Sequence, residues 1–145
     1  MVASSHVLLV IANSCHRWVT LQISEQDFEA LVERAFEALP EVYREACRDL
    51  AIRTEPQAST EVLAALEIAD PFELLGLYHG ISLTQKSTFA LPGLPDEVII
   101  YRDPIVAYAK KSGLALSDTV RHVLIHEIGH HFGFTDADME RIERN

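Results

Sequence analysis

The sequence predicts one domain of mixed helix and strand, and three observations carry that prediction. The chain has 145 residues, 48% apolar and 23% charged, with six Gly and six Pro. That composition buries a single core and excludes the disordered, collagenous and disulfide-stapled classes. Apolar residues recur at helical spacing across 28–39 and again across 117–132, whereas short apolar or β-branched runs at 50–55, 74–78 and 97–102 read as strands. No repeat, low-complexity tract or linker divides the chain, so residues 1–145 are expected to form one unit, with 1–23 as an N-terminal arm or strand.

Taken in order, residues 7–12 form an apolar run with no Lys or Arg before it. It is far short of the ~20 residues of a membrane helix and lacks the positive flank of a leader, so it reads as a short strand or ordered arm. Ser24 followed three residues later by Asp27 has capping-box spacing, and it opens a helix whose apolar face is Phe28, Leu31, Val32, Ala35, Phe36 and Leu39. Pro40 ends that helix, and a second short one runs through Val42, Tyr43 and Ala46. A strand at 50–55 stops at Pro56, and 57–70 reads equally as a helical turn or two or as a surface excursion. A buried strand at 74–78 ends at His79-Gly80, and the stretch to Pro95 is too long for a hairpin loop. Residues 97–102, fenced by Pro95 and Pro104, read as an edge strand. A helix at 104–111, a break at Gly113, and a helix from an N-cap at Ser117 to about Phe132 complete the chain.

Acidic residues outnumber basic ones 22 to 12, a formal charge of −10. With no basic cluster to offset it, this repels a phosphate backbone and excludes nucleic acid as the expected partner. Nothing in the chain is long and apolar enough to span a membrane. Two cysteines, Cys15 and Cys47, read as reduced and unpaired, which places the protein in the cytoplasm.

The chemistry lies in residues 126–136, which read HEIGHHFGFTD and contain HExxH extended to HExxHxxGxxD. His126 and His130, four apart on a helix and so roughly 5–6 Å apart at Cβ, can direct two imidazole nitrogens at one Zn2+. Glu127 projects beside the pair, where it can reach a water on the metal without binding the metal itself. That is the position of a general base. Asp136 can supply a third donor only if the helix ends, and Gly133 provides the left-handed turn that ends it. Its competing reading is an acid in the first turn of a C-terminal helix starting near Thr135. A triad of His122, His126 and His130 would span about 12 Å of helical rise, too far for one ion. His122 and His131 read as exposed or locally satisfied, Cys15-His16 as too few donors for zinc, and Met139 as packing.

These residues resemble the zincins, and most closely the small bacterial zincin-like metallopeptidases, through the helix ending in Ala38-Leu39-Pro40, Leu74-Leu75-Gly76-Leu77-Tyr78, Leu94-Pro95-Asp96 and the terminal motif. The resemblance implies an α+β zincin-like domain: a small mixed β-sheet, with an edge strand over the cleft, packed on an active-site helix and N-terminal helices. By the same resemblance His126, His130 and Asp136 are the zinc ligands and Glu127 the catalytic base, acting on a peptide or protein substrate. An extended substrate is expected to pair with the strand at 97–102, and His79, Tyr101 and Arg102 are the candidate oxyanion donors. The rival reading is a module that keeps the metal for binding or recognition without catalysis.

Overall fold

The computed structural model describes residues 4–9, 23–80 and 96–143. Local sequence rules account for most helix ends. Helix α1 (Glu25–Glu37) starts at Ser24, whose hydroxyl accepts from the Asp27 N–H at 3.1 Å, and α2 (Glu41–Ala46) begins directly after Pro40. Between 57 and 70 the chain forms a short helix α3 (Thr60–Ala65), capped by Ser59 at 3.2 Å. Helix α4 (Arg102–Ser112) ends at Gly113, whose φ of 67° is the left-handed conformation expected of a helix terminator.

Four strands, β1 (Ser4–Leu9), β2 (Leu50–Glu55), β3 (Leu74–Gly80) and β4 (Asp96–Tyr101), form one mixed sheet in the order β1-β3-β4-β2. β1 and β4 both run antiparallel to β3, and β2 runs parallel to β4. The expected edge strand at 97–102 is therefore interior, flanked by β3 and β2, and this corrects the sequence reading. Val98, Ile99, Ile100 and Tyr101 are all buried, as a continuous apolar run covered on both faces should be. Pro104 does not block the pairing, because it sits in the first turn of α4, where an N–H has no helical partner to lose. The edges among the described strands are β1 and β2.

On one face Gly76, Tyr78, Val98 and Ile100 pack toward helix α5 (Leu116–His131), whose Val120, Val123, Leu124 and Ile128 meet Phe28 and Val32 of α1. Each fully buried aliphatic side chain here contributes about 1.5–3 kcal/mol. Leu77, Ile99 and Tyr101 face the other way, into a smaller cluster with Leu63 of α3. Ser117 does not cap α5: Ala115 holds the N-cap position, and the earlier start brings Leu116 against the main core. Cys47 is a buried free thiol whose pKa is raised by burial. Among the described residues no helix is long and apolar enough to cross a membrane. Most of the expected loop before Pro95, together with Cys15 and His16, lies outside the described residues.

Candidate metal centre

Helix α5 ends in a Schellman turn. The Phe134 N–H donates to the Gly129 carbonyl at 3.0 Å and the Gly133 N–H to the His130 carbonyl at 2.9 Å, with Gly133 left-handed at φ 94°. The reversed chain enters helix α6 (Asp136–Glu143) at once. A reciprocal cap fixes that start: the Thr135 N–H donates to the Asp138 carboxylate at 2.9 Å and the Asp138 N–H to the Thr135 hydroxyl at 3.2 Å. The Thr135 N–H and then the Thr135 hydroxyl, both donating to it, hold the Asp138 carboxyl below the usual carboxylate range. Asp136 thereby becomes the first residue of α6. Both sequence readings of it apply together, because the same carboxylate begins a helix and faces the two histidines.

His126, His130 and Asp136 form a group able to hold a metal ion, with one donor atom from each inside 4.8 Å. Asp136 Oδ1 lies 3.2 Å from His126 Nε2 and 3.0 Å from His130 Nε2. Tetrahedral donors about 2.0–2.1 Å from a zinc ion stand about 3.3 Å apart, so the two Asp136 contacts suit such an ion. The chemistry of the donors points the same way. His130 Nδ1 lies 2.8 Å from the Phe134 carbonyl, which only accepts, so that nitrogen carries the proton. In a neutral ring Nε2 then turns its lone pair toward the carboxylate oxygen, and those two acceptors repel unless a cation lies between them; a protonated ring would instead donate Nε2–H to Asp136.

Packing from behind completes the centre. Met139, one turn into α6, is buried against Gly129; a Cβ on Gly129 would sit 2.6 Å from its sulfur, so the missing side chain lets α6 close onto α5. This agrees with reading Met139 as a packing residue. Glu127 is fully buried on the sheet side of α5, over Gly76 of β3. A Cβ on Gly76 would lie 3.0 Å from Glu127 Cγ, 3.2 Å from its Oε1 and 2.9 Å from Val123 Cγ1. Gly76→Ala is thus expected to push Glu127 aside and to cost about 1–3 kcal/mol, read as a lower urea midpoint. An isolated glycine inside a strand pattern was the available signal for this close approach.

Of the candidate oxyanion donors, His79 is exposed on the sheet face away from α5, and Tyr101 is buried in the smaller cluster on that same face. Strand alternation therefore removes both from the centre. Arg102 is engaged with Asp103 at 2.9 Å. His122 is exposed. His131, by contrast, is buried at 1% exposure and contacts Tyr78.

A family model described as zincin-like metallopeptidase matches residues 47–145. The chain belongs to that family. The match takes in every element from β2 to α6 and begins after the zincin-like domain's N-terminal helices α1 and α2. No curated protein matches the chain significantly.

Proposed function

We propose that this zincin-like chain is a zinc-dependent peptidase, with His126, His130 and Asp136 as the metal ligands and Glu127 as the general base. The observation that carries the reading is the approach of His130 Nε2 to Asp136 Oδ1 at 3.0 Å while Nδ1 of the same ring is spent on the Phe134 carbonyl. When bound with one position open, zinc supplies a Lewis acid and brings the pKa of a water toward neutrality. His126 and His130 would each offer one ring nitrogen to the ion, and on the His130 side the Phe134 carbonyl leaves Nε2 as that nitrogen. Asp136 would bring a negative charge to the centre as its third donor. Glu127, adjacent in sequence to His126 and walled by Gly76, takes the proton and returns it to the leaving amine.

The substrate is an extended peptide. Since β4 is interior, the edge among the described strands on the α5 side is β1, and an extended backbone adds there by strand pairing. The cytoplasm is the proposed location, supported by the buried free thiol of Cys47. The rival, a metal-holding module without catalysis, is kept alive by the placement of His79 and Tyr101 away from the centre.

Metal analysis combined with cleavage of a diverse peptide library tests the reading. The expected result is one zinc per chain and cleavage that a chelator abolishes and added zinc restores. Bound zinc with no cleavage of any library member would select the module, and cleavage indifferent to chelator would overturn the metal mechanism.

A further inference from the structure

Behind the metal centre lies a buried polar cluster that the proposed chemistry does not use. His131 follows the ligand His130 directly, and the turn of about 100° between successive helical residues aims its ring into the sheet. Its Nδ1 is 3.3 Å from the Tyr78 hydroxyl and 3.4 Å from Asp96 Oδ2, and its ring packs edge-on against Tyr78 at 5.7 Å. Tyr78, His131 and Asp96 are only 0%, 1% and 5% exposed. Gly80 makes room for the carboxylate, since a Cβ there would lie 2.4 Å from Asp96 Oδ1. The Tyr78 phenol is held protonated, its pKa raised by burial and then by the neighbouring Asp96 charge.

Such a cluster is expensive. A buried carboxylate costs several kcal/mol unless its partners compensate, and the surrounding core is otherwise apolar, with Val98, Ile100 and Phe28 close by. Packing alone would be served by an apolar trio. What the polar trio adds is direction: it ties the end of β3, the start of β4 and the last turn of α5 at one point. That last turn carries His130 and leads straight into the Gly133 reversal that delivers Asp136.

We propose that Asp96, His131 and Tyr78 form a positioning network that fixes the rotation of the last turn of α5, and with it the aim of His130 and Asp136 at the metal. The proposal rests on the metal-site reading above. Its test uses Tyr78→Phe and Asp96→Asn, each nearly isosteric, with His130→Ala as the reference for a lost ligand. Zinc affinity is measured by chelator competition, the visible spectrum of the cobalt-substituted protein reports ligand geometry, and melting without metal reports the fold.

Both variants are expected to bind zinc about tenfold more weakly and to show a shifted cobalt spectrum, because supports behind metal ligands commonly carry effects of that size. Asp96→Glu, which keeps the charge, is expected to recover part of the affinity. Lower metal-free melting temperatures with unchanged zinc affinity and cobalt spectrum would make the cluster purely structural and overturn the proposal alone. A wild-type protein that binds zinc no better than His130→Ala would overturn the metal-site reading and the network with it.

Discussion

Glu127→Gln is expected to reduce peptide hydrolysis by about 100- to 10,000-fold, the usual contribution of a general base, while zinc stays bound at wild-type stoichiometry. The substitution isolates one property. Glutamine keeps the length and planar end of the side chain, and this matters because Glu127 is fully buried against Gly76 with no room for a different shape. It cannot accept the proton. Its neutral amide also avoids burying a charge, so melting should not fall as it would for a cavity-forming change. The loss should appear in kcat with little change in KM, since Glu127 is not expected to hold the ground-state substrate. Turnover within a few-fold of wild type would remove Glu127 as the base, whatever the metal content.

What could be read from the sequence was mostly what the chain determines locally. Ser24, Pro40, Gly113 and Gly133 end or begin helices through their own backbone and side-chain preferences, so their elements fell where periodicity placed them. The position of β4 depended on partners far away in sequence. Prolines on both sides suggested an edge, but strand order is set by which strands pair, and Val98–Tyr101 carried the contrary signal of an unbroken buried run.

At the candidate metal centre the helical spacing that brings His126 and His130 together was legible at once, whereas Asp136 was legible only as a choice between two roles. Thr135 and Asp138, at the spacing of a helix cap, held the missing information, because they make Asp136 the first residue of α6. His131 shares the sheet-facing line of α5 with Val123 and Glu127, so its burial was within reach of the pattern. Its partners on β3 and β4 were not, since they arise only when the sheet is assembled.

His130→Ala is expected to abolish the response of stability to zinc. Three donors converge in the intact chain, and the change leaves two, one of them the exposed Asp136. In zinc a thousandfold above its Kd, the wild-type chain should gain about 4 kcal/mol over the metal-free state. For a domain of this size that corresponds to about 15 °C in Tm. The variant should melt at one temperature with zinc or with chelator. It should also be weaker than wild type without metal, by about 2–3 kcal/mol, because His130 is fully buried and its loss strands the Phe134 carbonyl at the chain reversal. His122→Ala is the matched control: that histidine is exposed one turn before His126, and its removal should change neither quantity by more than about 0.5 kcal/mol. If instead His130→Ala kept the full zinc-dependent rise in Tm, the ion would be held elsewhere, and the contact between Asp136 and the two imidazoles would need only shared protons to explain it.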